Sequence, residues 1–194
     1  MTDTTIRAFY AIKLDDEVRE ATQQMINELQ QCEWSHHVRW IPEDHLHITL
    51  RFLGDVTEQQ LENMNAELQQ KLSNFPPFSI MFKEPRLFPH FRKPRVVALL
   101  VPHNEALIQL AELFEQCAIT VGLEPETRQF KGHLTLGRCN KSFPKRIKID
   151  SMPLSLTQSV RSASLYRSVL SDTGPTYIEL NKTSLSEKIS LSES

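Results

Sequence analysis

Several features that mark large classes of proteins are missing from this chain of 194 residues. It has no run of about 18 apolar residues, so the sequence predicts no transmembrane helix. Its five glycines form neither a GxxxxGK(S/T) nor a GxGxxG motif, so no local signal for a nucleoside triphosphate or a dinucleotide is present. The three cysteines include no CxxC pair, and an odd number does not complete a disulfide framework. The opening MTDTTIRAFY lacks a basic stretch followed by an apolar one, so we expect no signal peptide and a cytoplasmic location.

The chain also lacks a large net charge of either sign. The 22 Lys and Arg residues against 24 Asp and Glu leave a net charge of −2. This balance excludes a protein that binds nucleic acid through a generally cationic surface, but it leaves open a small anionic substrate in a local basic cleft. A hydrophobic fraction of 40% is that of an ordinary globular protein, and the length suits one large domain or two small lobes.

The order of the predicted elements repeats along the chain. Alternating apolar residues predict a strand over residues 6–13, followed by a helix and a strand over residues 45–52 that Gly54-Asp55 ends. The second half predicts a strand over residues 96–101, a helix, and a strand over residues 133–138. The repetition predicts an α+β fold of two pseudo-symmetric lobes. Each lobe is expected to have an antiparallel sheet with helices on its outer face, and the two to form a central cleft.

Other elements are expected around this repeat. Thr57 and Gln60 form a capping box that begins a helix, and Asn104 precedes another with Gly122 at its end. Residues 84–95 predict a long loop or bent hairpin. Strands are expected at residues 78–82, 146–149, 160–170 and 177–180, with a turn at Gly174-Pro175 between the last two.

Each half carries an H-x-T-x tetrapeptide, His47-Ile48-Thr49-Leu50 in the first and His133-Leu134-Thr135-Leu136 in the second. Because side chains alternate along a strand, the histidine and threonine of each motif share one face. The apolar residues, with Phe52 continuing the first set, are expected to face the core, and Arg51 to be a solvated charge. If a twofold axis relates the lobes, two imidazoles and two hydroxyls converge on one groove.

Two such histidines are suited to displacement at phosphorus. With ordinary pKa values of about 6.5, one imidazole can act as a base while the other acts as an acid. The threonine hydroxyls can donate hydrogen bonds to phosphate oxygens, and no metal or other cofactor is required. One alternative is a metal site, since His45 and His47 form an H-x-H that could join His133. Another is a single structural histidine in each strand.

The chain resembles the bacterial RNA 2′,3′-cyclic phosphodiesterases of the 2H phosphoesterase superfamily, historically called 2′-5′ RNA ligases. The segments that carry this resemblance are RAFYAIKL, HLHITLRFLGDV, RVVALLV, FKGHLTLGR and LYRSVLSDTGPTYIEL. The resemblance implies one domain of two intertwined lobes over residues 1–185, followed by a polar tail over residues 186–194. It also implies a reaction that opens a terminal 2′,3′-cyclic phosphate on RNA to a 2′-phosphomonoester. Members are also known to join tRNA halves through a 2′-5′ linkage.

The resemblance assigns roles to the motif residues. It makes His47 the proton donor and His133 the proton acceptor, with Thr49 and Thr135 holding the phosphate. The expected partner is an RNA with a 2′,3′-cyclic phosphate end, bound by a monomer without a membrane or a cofactor.

Two further residues are expected at the substrate. Arg138 matches a phosphate-binding arginine of the family, although a regular strand would point it away from His133. A bulge, or a strand end near Gly137, would correct this. Phe9 is a candidate to stack on the terminal base.

Other functions stay open at this point. The chain could be a 2H enzyme for a small cyclic nucleotide or a 2′-5′ oligonucleotide bond, or an RNA-end-binding module with little turnover. A basic segment could follow an RNA backbone beside the cleft; its members are Lys83, Arg86, Arg92, Lys93 and Arg95.

Overall fold

The computed structural model of the chain describes residues 5–145, 147–149, 152, 154–171 and 174–186. Within those residues lie three α-helices, α1 (Asp16–Leu29), α2 (Glu58–Leu72) and α3 (Glu105–Thr120). They are accompanied by ten strands, β1 (Thr5–Lys13), β2 (Val38–Trp40), β3 (His47–Thr57), β4 (Phe78–Phe82), β5 (Pro85–Phe88), β6 (Val96–Leu100), β7 (His133–Cys139), β8 (Leu156–Val160), β9 (Ser162–Ser171) and β10 (Gly174–Ser184). Two 3₁₀ turns, Glu33–His37 and Glu43–His45, precede β2 and β3. No helix in this described part is long and apolar enough to cross a membrane.

The strands form two four-stranded antiparallel sheets and one small ribbon. The first sheet has the order β10-β9-β1-β3 and the second the order β2-β7-β6-β5, while β4 pairs with β8. In the first sheet β1 pairs with the motif strand β3, and in the second β6 pairs with the motif strand β7. The predicted α+β class and the repeated strand–helix–strand plan are confirmed.

The two halves share one core. Helix α3 follows β6 of the second sheet, but it packs against β3 of the first and against α2. The apolar sides of both motif strands enter this core, with Ile48 and Leu134 fully buried. Burying apolar side chains is the main favourable term in folding, so this shared core fixes the two motif strands relative to one another.

The capping residues predicted from the sequence lie at the ends of helices α2 and α3. The Thr57 hydroxyl accepts a hydrogen bond from the backbone N–H of Gln60, whose side chain in turn accepts from the N–H of Thr57, which completes the predicted capping box. The side chain of Asn104 accepts from the N–H of Leu107 at 2.9 Å. Gly122 follows α3 with a φ of 86°, a left-handed conformation that glycine adopts without strain.

Several predicted boundaries are wrong. Strand β3 does not end at Gly54, which has a φ of 75°, but continues to Thr57. His45 lies in the 3₁₀ turn before β3, so it does not share a strand face with His47. Residues 147–149 form no strand, and Arg146 lies outside the described residues. The same holds for the predicted tail beyond Ser186.

The last strand of the C-terminal hairpin is longer than predicted. Strands β9 and β10 extend over ten and eleven residues and pair from Gly174–Ser171 to Ser184–Ser162. The Gly174-Pro175 pair, expected as the turn, begins β10 instead. The hairpin therefore forms half of the first sheet and reaches the edge of the groove between the two sheets.

Each motif strand departs from regular pairing at the same place. In β3, Thr49 lies opposite Ala11 and Arg51 opposite Tyr10, which leaves Leu50 without a partner. An extra residue in one strand reverses the alternation of the side chains that follow. Phe52 consequently points to the side of Thr49 and not to the core, where it was predicted.

The same irregularity occurs in β7. Thr135 lies opposite Ala98 and Gly137 opposite Val97, which leaves Leu136 without a partner. Arg138 therefore returns to the side of Thr135. This is the bulge that the predicted role of Arg138 requires. Arg138 stands three residues after Thr135, just as Phe52 stands three residues after Thr49 in β3.

Gly137 allows close packing over this second bulge. A Cβ atom built there would overlap the Val38 side chain and lie 3.0 Å from Cε3 of Trp40. We expect Gly137→Ala to lower the free energy of unfolding by about 1–3 kcal/mol, the usual cost of inserting a methyl group into a packed site. Urea denaturation measures this difference. An unchanged free energy of unfolding would show that β2 moves away without cost.

Candidate active site

The motif faces of β3 and β7 meet in a cleft between the two sheets. A cavity of about 330 Å³ is lined by both motif histidines, both motif threonines and Arg138. The structure thus brings together five of the six predicted site residues in one cavity. The sixth, Phe9, lines the outer continuation of the same cleft.

The two histidines are held in the same way. Nδ1 of His47 lies 2.7 Å from the carbonyl oxygen of His45, and Nδ1 of His133 lies 2.7 Å from that of Lys131. A carbonyl oxygen only accepts hydrogen bonds, so in each ring Nδ1 is the donor. Nε2 is then left to exchange a proton in the cleft, as an acceptor when the ring is neutral and as a donor when it is charged.

The surroundings of His47 favour its neutral form. Burial lowers the pKa of His47 to about 4, and the positive charges of Arg138, His45 and His133 act in the same direction. The hydrogen bond to the His45 carbonyl opposes them only in part. In the free protein His47 is therefore neutral at pH 7, which leaves Nε2 able to accept a proton.

Aromatic rings support both imidazoles. The Phe9 ring is 4.9 Å from the His47 ring between centroids, and the Tyr177 ring is 5.4 Å from it, edge to face. On the other side of the cleft, Phe88 stacks on His133 at 4.8 Å. Phe9 is only 3% exposed, so most of its ring surface is used to pack against His47 and its neighbours.

Arg51 and Phe52 differ from their predicted surroundings. Arg51 is not a solvated charge: its side chain is 10% exposed, and its Nε lies 2.5 Å from Oε2 of Glu115 on α3. Phe52 is 42% exposed and lies in the cleft under the guanidinium of Arg7, whose Cζ is 4.7 Å from the ring centroid. The bulge at Leu50 accounts for both positions.

The sequence patterns missed two residues of the cleft, Arg39 and Tyr177. Arg39 lies on the short strand β2, and Tyr177 on β10, far along the chain from either motif. The basic segment over residues 83–95, which could follow an RNA backbone beside the cleft, places none of its Lys or Arg residues in the lining of the cavity. In the cleft Arg7, Arg39 and Arg138 supply that charge.

The alternative prediction, a metal site, requires the side chains of His45, His47 and His133 to lie close together. His45 does line the cavity, where its ring is 4.7 Å from that of Tyr177. Among the described residues, however, no three His, Cys, Asp or Glu side chains are grouped so that they could hold a metal ion. His45 instead contributes its carbonyl oxygen to the orientation of His47.

Proteins of known name resemble this chain in sequence and in fold. A family model described as LigT-like phosphoesterase matches residues 12–98. An RNA 2′,3′-cyclic phosphodiesterase of Archaeoglobus fulgidus is 33% identical over 180 residues, which cover 90% of this chain and 98% of that protein. Another, from Bacillus subtilis, is 32% identical over 151 residues, which cover 76% and 81%. A crystal structure of E. coli LigT complexed with NADP⁺ has a TM-score of 0.77 at 26% identity and covers 93% of this chain and 98% of that one.

The depressed pKa of His47 predicts a pH-dependent stability. Its value of about 4 lies below the ordinary 6.5, so between these pH values the unfolded chain binds a proton that the folded chain does not. Stability is then fully present above pH 6.5 and is lost as the pH falls towards 4, by about 3 kcal/mol at most from this residue.

His47→Gln, which cannot titrate, serves as the comparison. Urea denaturation of the two proteins at a series of pH values measures their difference in the free energy of unfolding. We expect the variant to lose less stability than the parent across this pH range. Parallel pH profiles would contradict the low pKa.

Proposed function

The chain belongs to the LigT-like phosphoesterase family, and we propose that it opens the 2′,3′-cyclic phosphate at the end of an RNA to a 2′-phosphomonoester. The observation that carries this proposal is the matched pair of histidines. Each donates Nδ1–H to a backbone carbonyl and leaves Nε2 for a cavity that also contains Thr49 and Thr135. The names of the relatives support a terminal cyclic phosphate on RNA as the substrate.

The proposed reaction is an in-line displacement by water that uses no metal. His133 accepts a proton from water as the water oxygen bonds to phosphorus. The bond from phosphorus to the 3′ oxygen breaks, and His47 donates a proton to that oxygen. The pair of pseudo-symmetric strands supports this division because it presents one imidazole from each side of the cleft.

For His47 to act as the proton donor, bound substrate has to favour the protonated form of its imidazole. A cyclic phosphodiester between Thr49 and Thr135 brings a negative charge close to the imidazole. An opposite charge within about 4–6 Å favours the charged form of a titratable group, so bound substrate raises the pKa of His47. The donor is therefore charged in the complex, although it is neutral in the free protein.

The remaining residues hold the substrate. Thr49 and Thr135 donate hydrogen bonds to the non-bridging oxygens, and Arg138 adds a charge-assisted hydrogen bond to the same phosphate. The terminal nucleoside lies against Tyr177, whose ring is partly exposed, whereas the buried Phe9 supports His47 from behind and does not stack on the base, the role that the sequence had predicted for it. One chain supplies both motif strands, which supports action as a monomer.

A second displacement, with an alcohol in place of water, is chemically available in the same site. With a 5′-hydroxyl of a second RNA in place of water, the same two histidines would form a 2′-5′ linkage from the cyclic phosphate. Neither this nor the hydrolysis consumes a nucleoside triphosphate, in keeping with a sequence that has no P-loop motif.

The product identifies the leaving group. We expect an oligonucleotide with a 2′,3′-cyclic phosphate end to give only the 2′-phosphomonoester, with the chelator EDTA leaving the rate unchanged. Chromatography against 2′- and 3′-phosphorylated standards measures this. A 3′-phosphate product would contradict the proposed geometry, and loss of activity on chelation would contradict the metal-free mechanism.

Replacing the two histidines separates their roles. His47→Ala and His133→Ala should each reduce kcat by about 10²–10⁴-fold, the usual contribution of a general acid or base. A 3′-deoxynucleoside 2′-(4-nitrophenyl phosphate) has a leaving group that departs without a proton, and it has no 3′-hydroxyl that could attack the phosphorus in place of water. On this substrate we expect His47→Ala to regain most of its loss and His133→Ala to regain little. Recovery by the His133 variant alone would reverse the two roles.

A further inference from the structure

Two arginines face each other at the mouth of the cleft. Arg39 on β2 lies directly opposite Arg138 on β7 in the antiparallel pairing, and both side chains line the cavity that holds the histidines. Both are exposed. Within the described residues, neither forms an ion pair with a carboxylate.

Such a pair costs stability in the absence of anions. Side chains directly opposite on neighbouring strands have Cβ atoms about 4.5–5.5 Å apart, and like charges on such a pair of side chains are destabilising. In a chain with a net charge of −2, an unpaired arginine couple in one cleft suits a ligand that brings more than one negative charge. The reacting cyclic phosphate, which we assign to Arg138, supplies only one.

The cleft continues beyond Arg39. A second cavity of about 450 Å³ shares the motif residues His47 and Thr49 with the first, together with Arg39, Arg138 and Tyr177, and extends along the surface of the C-terminal hairpin. Its outer wall contains exposed apolar side chains, Phe52 at 42% and Leu170 at 69%. Arg39 and Arg138 therefore both lie where the first cavity opens into the second, and the end of the second cavity lined by Phe52 and Leu170 is the place left for a further nucleoside.

We propose that Arg39 binds the phosphate that links the terminal nucleotide of the RNA to the one before it. This inference rests on the proposed function and narrows its substrate class to oligonucleotides. The terminal cyclic phosphate lies between the threonines, the next phosphate along the backbone binds Arg39, and the preceding nucleoside lies over Phe52 and Leu170. A nucleoside 2′,3′-cyclic phosphate, which has no second phosphate, makes none of these outer contacts.

Three substrates isolate the second phosphate. They are adenosine 2′,3′-cyclic phosphate, the dinucleotide ApA with a 2′,3′-cyclic phosphate end, and the same dinucleotide with a neutral methylphosphonate linkage. We expect kcat/KM for the phosphodiester dinucleotide to exceed that for the other two by about tenfold or more, as for loss of a charge-assisted hydrogen bond. The methylphosphonate separates the contribution of charge from that of the additional nucleoside.

Variants of Arg39 then locate the contact. Arg39→Gln should lower kcat/KM for the phosphodiester dinucleotide about tenfold more than for adenosine 2′,3′-cyclic phosphate, and Arg39→Lys should restore part of the difference. Arg167→Gln is the matched control. It removes an exposed arginine from β9 that lies opposite Ala8, on the face of the sheet away from the cleft.

The outcomes distinguish this inference from the proposed function. If no substrate with a cyclic phosphate is hydrolysed, the proposed function fails and the inference with it. Equal rates on all three substrates would overturn the inference alone. Equal losses on the dinucleotide and on adenosine 2′,3′-cyclic phosphate in Arg39→Gln would also overturn it, because Arg39 would then bind the reacting phosphate together with Arg138.

Discussion

The alternation of side chains along a β-strand is the constraint on which this cleft depends. It is kept for the three residues of each H-x-T motif, so the histidine and threonine face the cleft while Ile48 and Leu134 fill the core. It is then broken in both strands by one extra residue. That reversal returns a third side chain to the cleft, and without it Arg138 would point away from the histidines.

The two lobes share one backbone plan but place different side chains in the cleft. At the position three residues after the threonine, β3 has Phe52 and β7 has Arg138. The first sheet also places Phe9 and Tyr177 against its histidine, whereas the second places Phe88 there. One half of the cleft is thus mainly aromatic and the other mainly cationic. Two histidines with the same kind of backbone hydrogen bond consequently have different neighbours on the two sides of the cleft.

The charge of the chain is organised locally. The net charge of −2 excluded a broadly cationic surface, and the structure concentrates Arg7, Arg39 and Arg138 around one groove. Four other arginines of the described residues pair with carboxylates, among them Arg19 with Glu43 and Arg51 with Glu115. This arrangement concentrates the attraction for anions at the cleft that contains the two motif histidines.

Local patterns in the sequence determined the strand–helix–strand repeat, the capping box at Thr57 and the common face of histidine and threonine in each motif. These depend on neighbours in the chain, through side-chain alternation and hydrogen bonds over three or four residues. Only the tertiary structure decided which side Phe52 faces, that Arg51 pairs with Glu115, and that Arg39 and Tyr177 join the cleft. Bulges arise from pairing with a second strand, and the cleft combines residues from strands as far apart in the chain as β1 and β10. The positions of these side chains therefore follow from packing between distant segments, which a periodic pattern within one segment cannot predict.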